Sequence, residues 1–359
     1  MHEMNLDIQP VFDGHNDVLL RLLLKRKANV ELDFINGDGE GQLDLPRMLK
    51  GKFGGGVFAV YIQSLGVDLG QLDDLMQGPQ YDVPLSPLID AQEALPVALE
   101  MAAILFRIEK ASGGAFKVCR TASDLRQCLA SGTIAAVLHL EGAEPIDANL
   151  NNLDVLYNAG LRSLGPVWSR PTIFGHGVPF RFPSTGDTGP GLTDAGKALV
   201  KSCDELGIAI DLSHMTEKGF WDVAAITQNP LIASHSNPHI ICPHARNLTD
   251  RQLDVIAETG GIVGLNFATC FLNPDGQRDP TTSFEMMLRH IDYLVSKLGI
   301  DHVGFGSDFD GAMVPSVITD VTGLPKLQQA MQLYGYDKTS IKKITHENWI
   351  NILTACWMD

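Results

Sequence analysis

Val11-Phe12-Asp13-Gly14-His15-Asn16-Asp17 begins as a β-rich run and closes on two metal-capable side chains. Side chains alternate faces along a strand, so the spacing of two predicts that His15 and Asp17 point the same way and can chelate one ion. The same kind of ending recurs down the chain. His139-Leu140-Glu141-Gly142 ends a β-rich run over 134–141, and Asp211-Leu212-Ser213-His214 ends one over 208–214. Ala233-Ser234-His235-Ser236 ends a run over 230–235, and Gly306-Ser307-Asp308-Phe309-Asp310-Gly311 closes one over 302–308.

Three more runs, at 56–62, 162–168 and 262–267, bring the β-rich segments to eight. Helical periodicity fills the spaces at 89–109, 194–206 (behind Thr193 as N-cap), 217–227, 250–258, 284–298 and near 340–356. Strands alternating with helices predict parallel βαβ units. Eight of them, with no glycine-rich dinucleotide fingerprint after the first, predict a closed (β/α)8 TIM barrel rather than an open sheet. Residues 25–54 and the Gly- and Pro-rich loop after Trp168 read as insertions. No repeat, low-complexity tract or linker divides the chain, so residues 1–359 read as one barrel domain.

In such a barrel the C-terminal strand ends share one mouth, where active sites are built. His15, Asp17, Glu141, His214, His235 and Asp308 would therefore converge from five strands. Any one alone reads as a satisfied polar residue, and Asp310 before Gly311 reads as turn chemistry. Together they predict a metal centre. Imidazole and carboxylate without thiolate suit zinc first, with manganese, cobalt or iron also compatible. Three histidines and three carboxylates exceed the needs of one tetrahedral ion, so two ions are expected. A carboxylate can bridge a metal pair, and no lysine falls at a strand end, which leaves Glu141 as the bridge.

Composition sets the boundaries of this reading. A chain of 359 residues that is 45% hydrophobic can bury a large core, and a net charge of −16 argues against a nucleic-acid backbone as partner. No run approaches the ~20 apolar residues of a membrane span. Residues 1–10 carry Glu3 and Asp7 with no apolar stretch, so no secretory leader is expected. Cys119, Cys128, Cys203, Cys242, Cys270 and Cys356 are scattered, with no CxxC pair. Reduced thiols and a cytoplasmic location are the expectation.

Over residues 11–355 these motifs, in order and spacing, closely resemble the membrane (renal) dipeptidase family of zinc peptidases, amidohydrolase-type metal-dependent barrels. The resemblance implies two zincs, often a homodimer, and hydrolysis of free dipeptides, commonly with a D-residue at the C-terminal position, through a metal-bridging hydroxide. It implies His15 and Asp17 on the first zinc, Glu141 between the two, and His214 and His235 on the second. Asp308 would act as general base and then pass its proton to the leaving amine. Arg246, eleven residues after His235, would hold the substrate carboxylate, a task suited to a guanidinium fork. Opening of some β-lactams is implied as a side activity.

Two departures stand out. Trp168 occupies the place of a histidine that helps polarise the scissile carbonyl in vertebrate members; His176, eight residues on, is a candidate replacement, the alternative being polarisation by the metals alone. Ala268 follows Asn266-Phe267 where vertebrate members carry a tyrosine, so side-chain preference does not transfer. The sequence ends Ala355-Cys356-Trp357-Met358-Asp359, without the apolar tail of the lipid-anchored mammalian members. His139 shares the face of Glu141 as either a metal-supporting or a core histidine, and Trp168 and Trp221 read as packing residues. The rival enzymatic reading is a related hydrolase acting on a lactam, cyclic amide or ester. A non-catalytic metal- or peptide-binding barrel is the other rival, and the presence of Asp308 argues against it.

Overall fold

Eight parallel strands form the centre of the computed structural model, which describes residues 7–64 and 74–358. Residues 1–6, part of the segment expected to lack a leader, lie outside that range. In chain order the strands are β1 (Val11–Asn16), β2 (Phe53–Tyr61), β3 (Tyr81–Asp82), β4 (Phe116–Val118), β5 (Ile134–Glu141), β6 (Leu161–Gly165), β7 (Arg181–Phe182), β8 (Ala209–Ile210), β9 (Ile232–Ala233), β10 (Ile262–Asn266) and β11 (Val303–Gly306). The hydrogen-bonded order is β8-β6-β5-β2-β1-β11-β10-β9. A parallel bridge from Asp211 to Ile232, with the Leu212 amide donating to the Ile232 carbonyl at 2.8 Å, brings β8 to β9 and rounds off the barrel. The TIM-type α/β fold is as the sequence predicts.

Two short features were not legible. β4 pairs with the first residues of β5, on the edge that β6 takes over from Leu138. β3 and β7 form an antiparallel pair outside the barrel, joining the segment that follows β2 to the loop after Trp168. The helices Ala122–Ser131 and Asn151–Ala159 also went unpredicted, because each buries few apolar residues. The first is set instead by a capping box, with Thr121 accepting from the Asp124 amide. All six cysteines are free and buried.

The floor of the barrel is closed by the end of the chain. Helices Lys338–Lys342 and Asn348–Cys356 are joined by a π-turn over Lys343–Glu347, within the span predicted as one helix. Phe12, Val57, Val137, Ala209, Ile232 and Ile262, from six strands, form one apolar cluster with Trp349, Leu353 and Trp357. Trp349 is almost completely buried, and its indole N–H donates to the Phe305 carbonyl at 2.9 Å. A Cβ at Gly14, Gly264 or Gly304 would run into this ring, so these three glycines make the space it fills.

Trp349→Ala should therefore cost about 3–5 kcal/mol of stability through the cavity left behind. Denaturant unfolding measures this; a loss below about 1 kcal/mol would show that the ring does not carry the floor.

Candidate metal centre

The chain builds the opposite mouth largely from turns that follow the strands. β1 ends at Asn16, and Asp17 is the N-cap residue of the helix Val18–Leu24. The predicted strand alternation therefore stops one residue short of Asp17, which reaches the cluster from a helix start. His214 and Asp308 lie beyond β8 and β11 with φ of 69° and 60°, a left-handed backbone unfavourable for non-glycine residues. Backbone pairing holds both. The Asp308 amide donates to the His15 carbonyl at 3.1 Å, and the Val178 amide donates to that of His214 at 2.8 Å.

These turns bring the six predicted metal-site residues together. Glu141 Oε1 lies 3.5 Å from His15 Nε2, 3.1 Å from His214 Nε2 and 3.6 Å from His235 Nε2. His15 Nε2 is also 3.5 Å from Asp17 Oδ2. Ligand atoms of His15, Asp17 and Asp308 fall within 4.8 Å of one another, as do those of His15, Glu141 and His235.

The hydrogen bonds fix which imidazole nitrogen faces inward. Ser234 Oγ donates to Asp211 Oδ2, so it accepts from His235 Nδ1 at 2.7 Å. The lone pair of His235 is then on Nε2, 3.0 Å from His214 Nε2. His214 Nδ1 is held in turn by Ser169 Oγ at 2.8 Å. Two imidazole nitrogens aimed at each other beside a carboxylate are the donor set of a cation site. Both ring nitrogens of His15 are buried without a hydrogen-bond partner, and Nε2, facing Asp17 and Glu141, is the one placed for a cation.

Electrostatics agrees. Burial, reinforced by the Glu141 charge, lifts the Asp17 carboxyl to about 8. Burial raises Asp308 as well, with Glu141 again adding to the shift. Burial opposes charge on His15, yet Glu141 and Asp17 outweigh it and hold the imidazole well above its ordinary pKa. Burial pushes His214 down to about 4, with the nearby Arg246 charge contributing. The cluster is thus short of positive charge, and its residues fit two metal ions.

Around the cluster, Asp13 accepts from the Ser307 amide at 2.6 Å and from its hydroxyl at 2.7 Å, fixing the turn that carries Asp308. Asn266 Nδ2 donates to Asp308 Oδ2 at 2.9 Å. His139 is buried edge-on to His15, with ring centroids 5.7 Å apart, and its Nδ1 meets Ser163 Oγ at 2.9 Å. The serines flanking His214 and His235 were the sequence signal for this outer layer, and it went unread.

Arg246 is buried on the same side. One amino nitrogen donates to the His235 carbonyl at 3.1 Å, and its Nε has no partner. His244 Nδ1 accepts from the Arg246 amide at 3.0 Å, which gives this histidine a positioning role. His176 is not brought into the pocket. Its segment pairs antiparallel with the turn after β8, through Gly177 and Met215, and its Nδ1 faces the Gly191 carbonyl at 3.3 Å. Trp168, read as packing, lines the pocket with Tyr61, their ring centroids 4.9 Å apart. Ala268 lines it too.

Comparison with known proteins points one way. The family model described as membrane dipeptidase (peptidase family M19) matches residues 4–356. A metallopeptidase of Rhodobacter sphaeroides, solved with a phosphinate mimic of the dipeptide L-Ala-D-Ala, is 55% identical, with a TM-score of 0.96 over 98% of this chain and 100% of that one. The metallopeptidase described as dipeptidase AC, of family M19, is 54% identical, with a TM-score of 0.94 over 97% and 99% of the two chains. A Klebsiella pneumoniae protein from the pqqA 5′ region, itself uncharacterised, is 43% identical over 74% of this chain and 98% of its own length.

Because Asp17 titrates near 8, a cation entering at pH 7 must displace protons. Calorimetric zinc titration of chelator-treated protein in buffers of different ionisation enthalpy should show net proton release, and apparent affinity should rise from pH 6 to pH 8. Enthalpies that do not depend on the buffer would refute this charge assignment.

Proposed function

The chain belongs to the membrane dipeptidase family of metallopeptidases and is a metallodipeptidase, and from that premise we propose a zinc-dependent enzyme that cleaves free dipeptides and accepts a D-residue at the C-terminal position. The observation that carries the reading is the convergence of Glu141 Oε1 on three imidazole nitrogens within 3.6 Å, beside Asp308 and Arg246. The D-residue is supported by the L-Ala-D-Ala mimic held by the Rhodobacter relative.

In this proposal His15 and Asp17 would hold one zinc and His214 and His235 the other, with Glu141 available to both. Bound zinc would lower the pKa of water from ~16 towards ~7 and stabilise negative charge on the amide oxygen. With Trp168 where the vertebrate histidine stands, and His176 turned to Gly191, no imidazole from that loop adds to this polarisation.

Asp308 is the proton carrier. Asn266 fixes one carboxylate oxygen, and burial raises its pKa above the ordinary carboxylate value. It takes the proton of the attacking water and delivers it to the leaving amine. Arg246, with its unpartnered Nε, receives the terminal carboxylate and sets the scissile bond against the cluster. Trp168 and Tyr61 provide an apolar wall that limits water at the bond.

Release of D-Ala from L-Ala-D-Ala by zinc-loaded protein, abolished by a chelator, is the expected result. No release would move the substrate elsewhere, to L,L-dipeptides first. Asp308→Asn should lower kcat by about 10²–10⁴-fold while keeping the thermal shift on zinc addition. Full activity in that variant would remove Asp308 from proton transfer.

A further inference from the structure

Arg170, in the turn that follows β6, is a charged side chain wholly enclosed by protein. Its guanidinium fans out to the ends of two neighbouring strands. Nε donates to Glu144 Oε1 at 2.6 Å, in the turn after β5. Nη1 donates to Ser64 Oγ at 2.7 Å and Nη2 donates to the Ile62 carbonyl, both just beyond β2. β6, β5 and β2 are consecutive in the barrel, so one rigid fork ties three adjacent strand ends together at the mouth. Glu144 is buried as well, and a Cβ at Gly142 would strike its carboxylate, so the acid is packed back onto the turn that follows Glu141. The two charges cancel, and the pair brings no net charge to the metal cluster. A buried ion pair adds little stability over apolar residues of the same size, which leaves the fixing of geometry as its contribution.

Trp168-Ser169-Arg170 carries that geometry to the site. Trp168 lines the pocket, and Ser169 Oγ meets His214 Nδ1 at 2.8 Å. The guanidinium carbon lies 5.4 Å from the ring centroids of both Tyr61 and Trp168, so it backs the aromatic wall as well. The anchored Arg170 thus fixes the backbone on which Ser169 stands, and Ser169 in turn decides how the His214 ring is turned. We propose that Arg170, paired with Glu144, is a positioning residue for the metal centre, holding Ser169 so that His214 keeps Nε2 on Glu141, 3.1 Å away. This inference rests on the metallodipeptidase reading above.

The test is calorimetric zinc titration of the chelator-treated full chain. In Ser169→Ala one zinc should bind about tenfold or more weaker, as when the partner of a ligating imidazole is lost, with the other little changed. Arg170→Met combined with Glu144→Met removes both charges together and leaves neither bare, and it should weaken the same zinc by a similar factor. Adding Ser169→Ala to that double variant should cost little more, because both changes break one chain of contacts. A merely structural role would instead give losses that multiply, or equal losses for both ions. Either result, or an unchanged affinity in the double variant, would overturn the proposal. If the double variant does not fold, Arg170→Lys, which keeps the charge and gives up the fork, carries the same comparison with Ser169→Ala. Wild-type protein that binds no zinc would overturn the zinc reading as well, whereas zinc binding and L-Ala-D-Ala hydrolysis by the wild type keep that reading intact when the coupling alone fails.

Discussion

Two buried carboxylates, a half-buried third and three buried imidazoles at one barrel mouth must be supplied with positive charge, and much of the surrounding structure answers that demand. Removing a carboxylate from water costs several kcal/mol unless an opposite charge and hydrogen bonds compensate it. Glu141 sits where this is most acute, within 3.6 Å of three imidazole nitrogens. The neighbouring serines and acids can be understood from that point outward. Asp211 organises Ser234, which orients His235; Asp13 organises Ser307, which orients the turn bearing Asp308. His235 and the turn bearing Asp308 are thus each held by a side chain that is itself held, which limits their rotameric freedom.

The insertion over residues 25–54 belongs to the same system. Asp310, read from sequence as turn chemistry, does adopt a left-handed turn, with φ of 64°. It also accepts from Arg21 Nε at 3.0 Å and from the Gln42 amide, while its own amide donates to Gln42 Oε1 at 2.7 Å. The insertion is thereby tied to the end of β11. Gly311 beside it has no room for a side chain, since a Cβ there would strike the carboxylates of Asp17 and Asp308.

How much of this was legible follows from how local each signal is. The eight barrel strands and the helices Asp250–Glu258 and Phe284–Leu298 could be read because apolar periodicity is a property of the segment itself. The convergence of His15, Asp17, Glu141, His214, His235 and Asp308 could be read because barrel topology turns a position in sequence into a position in space. The left-handed turns at His214 and Asp308 could not, since no glycine marks them and tertiary hydrogen bonds impose them. His176 was misplaced for a related reason. Proximity in sequence to Trp168 gave no hint that an antiparallel bridge to Met215 would turn its ring towards Gly191. His244 lies outside the metal-ligand motifs, and only the folded loop shows that it accepts from the Arg246 amide.

The closing of the barrel floor by Trp349 and its helix affects the order of folding. The floor joins β1 and five later strands to a helix that follows all of them in the chain. While the chain is still emerging from a ribosome, Phe12, Val57, Val137 and their neighbours have no lid, and the spaces left by Gly14, Gly264 and Gly304 stay empty. The barrel can complete its core only after synthesis has passed residue 349. Such distant pairings carry a high loop-closure cost and slow the final step. A nascent chain of this kind keeps its strand interiors exposed until that helix has been made.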